Sequence, residues 1–404
     1  MDATLRGLLV LVSVLLLTTS GCLESGQVQS SNPTCTNQMV PNSYLVRWNG
    51  QVPREYEKYK LHPNSMVTRF SGIPKETLEQ RVLRKHNNEY LVAEPEYKIT
   101  NVRDELQKTA LQVTSGSGSG TWGPGDIQAS SAWSYLNEKG DGVIVAVVDS
   151  GADVNHPLLK SQISGGYSFV GSPTDLSDGA SHGTHVSGII AGQAGPNGFT
   201  GVAPNAKIMP LKFIDASGGG KVGDAISAIV YAASNGAKVI NASWGGSDCS
   251  ASLQQEIVTV TQSGTVFVNA AGNSSNDLSV APEYPAVYQT PGKITVASSN
   301  INESLSTFSN FGLLVDLAAP GEVIYSTLPP TDGGPEGQMG IESGTSMSTP
   351  FVSGVVALLF SAKPNASPAQ IAVAINAGVV TGHFGVRTGG RLDALLAAQY
   401  LMSH

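Results

Sequence analysis

The chain has 404 residues, of which 41% are hydrophobic and 13% are charged, and its formal net charge is −8. This hydrophobic content is enough to bury a sizeable core and excludes a largely disordered protein. Residues 121–404 carry 10 Lys and Arg against 20 Asp and Glu, so they lack the basic face that nucleic-acid binding requires. We therefore expect one large globular domain, a smaller unit and no nucleic-acid partner.

The first 22 residues have the form of a signal peptide. One basic residue is followed by an apolar run from Gly7 to Leu17 and then by small polar residues, and the run is too short to span a membrane. Ser20-Gly21-Cys22 resembles the end of a bacterial lipoprotein signal, although Thr19 stands where that signal normally has leucine. Lipidation of Cys22 and plain secretion both remain open. Either way we expect an exported protein, extracellular or periplasmic, with no membrane attachment except such a lipid.

Three cysteines do not make a disulfide framework. A bond between Cys35 and Cys249 would tie the N-terminal tail to the large domain, but we expect instead that Cys249 is a buried thiol without a functional role. Residues 23–42 are rich in Ser, Asn, Gln and Thr, which is typical of a flexible tether.

Residues 43–99 predict a small α+β unit with a thin core, and residues 100–120 predict a linker that ends in a Gly/Ser hexapeptide. The predicted strands of this unit are Tyr44–Trp48, Met66–Phe70 and Tyr90–Ala93, and its predicted helices are Arg54–Lys60 and Lys75–Lys85.

From residue 121 onward, apolar strands alternate with helices. The predicted strands are Val143–Val148, Ile208–Phe213, Val239–Ala242, Val266–Ala270, Ile294–Ala297 and Val315–Leu317, and the main helices are Gly183–Gly192, Asp224–Asn235, Ser252–Ser263 and Phe351–Lys363. Near-continuous apolar strands separated by helices indicate an α/β fold with a parallel sheet that helices cover on both faces. In such sheets, functional groups gather at the carboxyl ends of the strands.

Three side chains at element boundaries are candidates for nucleophilic catalysis. Asp149 directly follows a predicted strand, His182 stands at the start of a predicted helix, and Ser346 follows Gly344-Thr345 shortly before another. Each one taken alone could be an ordinary turn or helix-capping residue. Together they are the parts of a triad, in which His removes the serine proton and Asp orients the imidazole.

Asn273 comes shortly after the predicted strand Val266–Ala270, where its amide could stabilise a developing oxyanion. His182 and His185 are three residues apart and lack the adjacent Glu of zinc-protease helices, so we do not expect a catalytic metal. His185 lies inside the predicted helix and is expected to be structural.

Four motifs resemble the signature blocks of subtilisin-like serine proteases. They are Val-Val-Asp149-Ser-Gly, His182-Gly-Thr-His-Val-Ser-Gly, Ala-Ala-Gly-Asn273 and Gly-Thr-Ser346-Met-Ser-Thr-Pro, and they follow the family's Asp, His, Ser order. The resemblance covers residues 122–398. It implies that Asp149, His182 and Ser346 form the triad, with Asn273 and the Ser346 backbone N–H as oxyanion donors. It also implies protein or peptide substrates and no cofactor for the chemistry.

The resemblance also assigns a substrate cleft. One segment would pair with the peptide backbone as an added strand, and two others would wall the primary specificity pocket. The residues concerned are Gly218, Gly219 and Gly220 for the pairing segment, and Ser243, Trp244, Gly245, Ala271 and Gly272 for the walls. Such small residues predict broad specificity with a preference for apolar residues before the scissile bond. The glycines of the pairing segment also match a dinucleotide-binding pattern, but the acidic residue that should follow is missing.

The unit at residues 43–99 resembles the family's inhibitory prosegment, with Tyr90–Tyr97 matching its last strand. Self-cleavage would then fall between about Tyr97 and Thr121. The family often has an acidic calcium ligand after the His-Pro pair, but here His156-Pro157 is followed by Leu158. That calcium site is not expected, and structural calcium elsewhere stays open.

Two other functions fit the motifs less well. An α/β-hydrolase needs Gly-x-Ser-x-Gly and a different triad order, whereas Ser348 occupies the last position of that motif here. The alternative is a catalytically silent binding module with the subtilase fold, but the triad and Asn273 are all present. The sequence therefore predicts a monomeric serine endopeptidase that is made as a self-processing precursor and inhibited by its own prosegment.

Overall fold

The structure is a computed structural model that describes residues 39–86, 88–101, 121–330 and 338–404. The predicted signal peptide, residues 23–38 of the predicted tether and residues 102–120 of the predicted linker lie outside the described residues, as do Cys22 and Cys35.

Residues 39–101, here called the N-terminal unit, form an antiparallel sheet with one helical layer. Its strands are β1 (Met39–Trp48), β2 (Val67–Ser71) and β3 (Tyr90–Asn101), in the order β2-β1-β3. Its helical segments are a 3-10 helix at Arg54–Tyr59, α1 (Lys75–Leu78) and a π-helical turn at Glu79–Leu83. β1 begins inside the predicted tether and β3 runs well past the predicted end at Ala93, because its far half pairs with the large domain.

Residues 121–404, here called the large domain, contain the remaining elements. The strands are β4 (Ile144–Asp149), β5 (Tyr167–Ser168), β6 (Lys207–Lys212), β7 (Gly219–Lys221), β8 (Val239–Ala242), β9 (Trp244–Gly245), β10 (Val266–Ala270), β11 (Lys293–Ser299), β12 (Leu317–Pro320), β13 (Ile324–Thr327), β14 (Met339–Glu342), β15 (Val379–Thr381) and β16 (Gly390–Leu392). The helices are α2 (Trp122–Asp126), α3 (Ala129–Leu136), α4 (His182–Ala191), α5 (Val222–Ser234), α6 (Ala251–Gln262), α7 (Thr345–Ala362), α8 (Pro368–Ala377) and α9 (Ala394–Ser403). A short 3-10 helix spans Pro196–Gly198.

The main sheet of the large domain has the strand order β15-β16-β12-β11-β10-β8-β4-β6-β5. Its pairings are parallel except for β15 with β16. This confirms the predicted α/β class. The strand predicted at Val315–Leu317 begins two residues later, as β12 at Leu317–Pro320. Just before it, the Asp316 side chain accepts a hydrogen bond from the Thr295 backbone N–H.

The two faces of the sheet bury different side chains because successive residues of a strand point to opposite sides. Val145 and Val147 of β4 pack into the core formed with α3, α4, α7, α8 and α9. Ala146 and Val148 pack into the core formed with α5 and α6, which also takes in Leu45 of the N-terminal unit. Helices therefore cover both faces, as the apolar strands predicted.

Helix α7 begins at Thr345, six residues before the predicted start at Phe351. Pro350 lies inside this helix and has no N–H for the carbonyl of Ser346, four residues earlier. That carbonyl instead accepts a hydrogen bond from Ser243 Oγ at 2.9 Å. The predicted start of this helix was therefore wrong. The hydrogen bond that Pro350 cannot donate is replaced by one from Ser243 in another element, so the helix continues through the proline. Among the described residues, α7 is the helix long and apolar enough to cross a membrane, but 89% of it is buried in the protein.

Candidate active site

Three neighbouring strands of the main sheet deliver polar groups to one edge. β8 pairs in parallel with both β4 and β10, so their carboxyl ends lie side by side. Asp149 is the last residue of β4, Ser243 directly follows β8, and Asn273 lies three residues beyond β10. The site is built where a parallel sheet gathers functional groups.

His182 and Asp149 form a buried pair. Nδ1 of His182 lies 2.8 Å from Oδ1 and 3.0 Å from Oδ2 of Asp149, and both side chains are almost fully buried. The backbone N–H of Ser150 donates to the same Oδ1 at 2.7 Å. Because a carboxylate accepts, Nδ1 carries the proton, and Nε2 is left as the basic nitrogen of the ring.

Glycine is required at position 183 for this pair to form. A Cβ on Gly183 would collide with the carbonyl oxygen of Gly151, so the first turn of α4 could not approach the end of β4. The Gly after His182 in the motif therefore brings the imidazole into reach of Asp149.

Asp178 is a second buried carboxylate that the sequence analysis did not identify. Its Oδ2 accepts from the backbone N–H and the hydroxyl of Thr184, at 2.7 and 2.6 Å, and its Oδ1 from Ser150 Oγ at 2.8 Å. Burial raises the pKa of Asp178, and the neighbouring Asp149 raises it further, while the hydrogen bonds from Thr184 and Ser150 lower it. Asp178 thereby ties the first turn of α4 to the loop after β4. An Asp just before a predicted helix is a capping signal that could have revealed it.

Ser346 lies in the first turn of α7 and is 1% exposed. Its Oγ donates to the backbone carbonyl of Ser243 at 3.1 Å, and Ser243 Oγ donates back to the carbonyl of Ser346. Behind them, Asn241 donates to Ser243 Oγ at 3.0 Å and accepts from Ser353 at 2.8 Å. The backbone around Ser346 is held by a buried hydrogen-bond chain that reaches from β8 to α7.

The amide of Asn273 is held in one orientation. Its Oδ1 accepts from the backbone N–H and the hydroxyl of Thr345, both at 2.9 Å. A backbone N–H can only donate, so the oxygen assignment is determined and the amide nitrogen points to the other side. A Cβ on Gly344 would lie 3.3 Å from that nitrogen, so glycine there leaves the amide uncrowded. Ser346 has no carbonyl four residues earlier in α7 for its own N–H to bond.

Strand β3 of the N-terminal unit occupies the predicted cleft. It pairs antiparallel with β7, with Ile99 opposite Gly220 and Thr100 opposite Gly219, and antiparallel with β9, with Asn101 opposite Trp244. Gly218 lies in the preceding turn, with φ of +84°. The structure thus places the chain's own backbone where a peptide strand was expected to bind.

Two of the other predicted cleft residues, Ser243 and Gly272, contact the first turn of α7. Gly272 N–H donates to Thr345 Oγ1 at 3.1 Å, and the Ala271 carbonyl accepts from Asn310. Ser243, Ala271 and Gly272 therefore flank the start of α7, and Gly245 continues from Ser243.

The remaining candidates lie apart from this constellation. His185 is buried and its Nε2 donates to the Ile324 carbonyl at 3.0 Å. Burial lowers its pKa, although Glu342 opposes that shift, and its contacts are those of a structural side chain. His156 binds the backbone of Gln338 through Nε2. Cys249 is partly exposed, contrary to the expectation of a buried thiol. Within the described ranges, no group of three or more His, Cys, Asp or Glu side chains could hold a metal ion.

Comparisons with known sequences identify the family of the chain. The model of the subtilase family of peptidases matches residues 140–384. Thermitase of Thermoactinomyces vulgaris is 40% identical over 280 residues, which are 69% of this chain and 96% of thermitase. Subtilisin E of Bacillus subtilis strain 168 is 42% identical over 234 residues, which are 57% of this chain and 59% of that protein.

Solved structures show the same likeness. Fervidolysin from Fervidobacterium pennivorans, described as a keratinolytic enzyme related to subtilisin, superposes with a TM-score of 0.75 at 28% identity. That superposition covers 94% of this chain and 64% of fervidolysin, so it includes the N-terminal unit. A cold-adapted subtilisin-like serine proteinase gives a TM-score of 0.56 at 36% identity, over 64% of this chain and 89% of that one. The chain therefore belongs to the subtilase family, whose homologous members are serine endopeptidases.

Proposed function

We propose that the protein is a serine endopeptidase in which Asp149, His182 and Ser346 form the catalytic triad. The observation that carries the proposal is the buried His182–Asp149 pair, with Nδ1 2.8 Å from Oδ1, at the same sheet edge as Ser346. Ser346 Oγ turns from the Ser243 carbonyl to Nε2 of His182, which takes its proton as Oγ attacks the scissile carbonyl. Asp149 stabilises the imidazolium that forms.

The tetrahedral intermediate places a negative charge on the former carbonyl oxygen. Two donors are suited to it, the amide nitrogen of Asn273 and the backbone N–H of Ser346 at the positive end of α7. His182 then returns its proton to the leaving amine, and an acyl group remains on Ser346. Water, activated by the same imidazole, releases the second product.

We further propose that the N-terminal unit is an inhibitory prosegment. Two of its carboxylates bind the N-termini of helices in the large domain. Glu94 accepts from Ser250 Oγ at 2.6 Å and from the first backbone N–H groups of α6, and Glu96 accepts from the N–H of Gly223 in α5. Helix N-termini favour such anions.

A buried ion pair supports the same interface. Arg47 of β1 lies 2.9 Å from Glu256 of α6, and both side chains are less than 10% exposed. Since β3 enters the cleft and runs toward Ser243, the bond that Ser346 first cuts should follow Asn101. The expected range for self-cleavage, which the sequence placed between about Tyr97 and Thr121, is thereby shortened to the stretch after Asn101. Residues 102–120 of that stretch lie outside the described residues.

The test is expression of the full chain and of Ser346→Ala. Wild type should process itself to a fragment close to residues 121–404 and hydrolyse casein, and a serine-reactive sulfonyl fluoride should block both. Ser346→Ala should remain full length. A wild type that stays full length, and is inert even after limited proteolysis of the N-terminal unit, would instead support the catalytically silent binding module.

The signal-like N-terminus supports export, with Cys22 as the site where a lipid could hold the precursor at a membrane until processing releases the large domain. Proteins or peptides are the proposed substrates, and we propose a monomer. No cofactor is needed for the chemistry described, and structural calcium would be found by testing whether a chelator lowers the melting temperature.

A further inference from the structure

The predicted specificity pocket has two walls, and hydrogen bonds from Ser243 and Gly272 fix both of them to the start of α7. One wall is residues 243–245, which follow β8, and the other is residues 271–274, which follow β10. A peptide whose carbonyl lies between Asn273 and the Ser346 N–H must direct the side chain before the scissile bond, here called the P1 side chain, between these walls. Each wall contains a glycine, Gly245 in the first and Gly272 in the second.

The segment 283–284 closes the gap between the walls. The backbone of Tyr284 exchanges two hydrogen bonds with that of Gly246, at 2.8 and 2.9 Å, which fixes this segment to the first wall. A Cβ on Gly245 would lie 3.2 Å from the carbonyl oxygen of Tyr284. Residues 283–284 are therefore the floor of the pocket.

The side chain of Glu283 lies between the two walls. Its Oε2 is so close to Gly272 that a Cβ there would collide with it, and it is 3.9 Å from the Cβ position on Gly245. Its other oxygen, Oε1, accepts a hydrogen bond from Ser274 Oγ at 3.0 Å. That bond turns Oε2 toward the gap, so a carboxylate oxygen faces the space that a P1 side chain would fill.

A carboxylate at this position selects by charge. The cationic end of a Lys or Arg side chain could reach Oε2 and gain an ion pair in a partly desolvated pocket. An acidic P1 side chain would be repelled, and an apolar one would gain no ion pair with Oε2. Glu283 stands ten residues beyond Asn273 in the sequence and was not among the residues that the motifs assigned to the cleft.

We propose that Glu283 is a specificity-determining residue that makes the protease favour Lys or Arg at P1. This inference rests on the proposed endopeptidase function and names its substrate class. It replaces the apolar preference that the small wall residues predicted, because wall size governs which side chains fit and the charge at the floor governs which of them bind best.

The experiment compares fluorogenic peptides that differ only at P1, with Lys, Arg, Leu, Phe or Glu, on active-site-titrated wild type, Glu283→Gln and Glu138→Gln. Glu138→Gln removes the same charge near the amino edge of the sheet, before β4, and serves as the matched control. Wild type should favour Lys and Arg over Leu by about 10-fold or more in kcat/KM, and the Glu peptide should be cleaved most slowly. Glu283→Gln should lower the Lys-to-Leu ratio by about the same factor, and Glu138→Gln should leave it unchanged.

The outcomes separate this inference from the proposed function. If wild type cleaves the peptides but prefers Leu or Phe, or if Glu283→Gln leaves the ratio within about twofold of wild type, the inference is overturned and the protease remains. If wild type cleaves none of the peptides and no casein, the proposed function itself fails. Should Glu283→Gln misfold, the wild-type P1 profile alone still decides, and Glu283→Asp gives a second variant that keeps the charge and should keep the preference.

Discussion

Helix N-termini serve opposite purposes in two regions of the large domain. At the surface covered by the N-terminal unit, the starts of α5 and α6 bind Glu96 and Glu94, so their donors are satisfied by carboxylates of the same chain. At the predicted cleft, Ser346 lies in the first turn of α7. Its backbone N–H has no carbonyl four residues earlier in the helix to which it could donate. The same local physics therefore binds carboxylates of the N-terminal unit in one region and, under the proposed mechanism, would stabilise a transient oxyanion in the other. We therefore expect that losing a donor beside the start of α7 lowers the rate of peptide hydrolysis. Losing a carboxylate that accepts from the start of α6 should instead weaken the binding of the N-terminal unit.

The largest effect is expected from Asn273→Ala. This change removes a proposed oxyanion donor, so kcat should fall about 10²–10³-fold, the range known for such a donor in a subtilisin, while KM changes little. Peptide hydrolysis by the processed enzyme measures it. Because Asn273 also holds Thr345, a melting curve must accompany the rates. An equal loss in Thr345→Val, which keeps the amide but removes one hydrogen bond to it, would attribute the effect to the helix start rather than to the oxyanion.

A smaller effect is expected at the covered surface from Glu94→Gln, made in a separately produced N-terminal unit that is tested as an inhibitor of the large domain. Glu94 is fully buried and accepts three hydrogen bonds from the start of α6. Losing its charge should raise the inhibition constant about 10- to 100-fold. Glu76→Gln, an exposed change in the same unit, should leave the constant unaltered. Equal constants for both variants would mean that the helix caps contribute nothing to binding.

The smallest expected effect concerns Val323, which has a φ of +56°. A β-branched residue in the left-handed region is strained by about 1–2 kcal/mol. Its N–H donates to Ser343 Oγ at 2.8 Å and its carbonyl accepts from the Trp122 indole, so surrounding contacts hold it there. Val323→Asn should stabilise the large domain by about 1 kcal/mol and raise its melting temperature by about 2–4 °C. Val323→Ala, which keeps a Cβ, should gain less, and a lowered melting temperature for Val323→Asn would show that the side chain's packing outweighs the strain.

The sequence by itself determined the sheet, its class and the positions of Asp149, His182, Asn273 and Ser346 in the chain. Each apolar strand carries its own burial pattern, and each motif is contiguous, so short-range periodicity and turn chemistry were sufficient. The predicted boundaries were wrong where a tertiary contact replaced a local one. Pro350 interrupts the helical hydrogen bonds, yet α7 continues because Ser243 satisfies the carbonyl that the proline leaves open.

Only the tertiary structure decided which distant side chains meet. Asp178 joins the start of α4 through Ser150 and Thr184, and Glu283 reaches Gly272 and the wall at Gly245 from another loop. Neither residue stands in a motif, because its position depends on how loops from separate strands converge at one sheet edge. The same convergence places β3 in the cleft, with Asn101 opposite Trp244. Local sequence sets which groups reach the edge of a sheet, and long-range packing sets which of them come into contact.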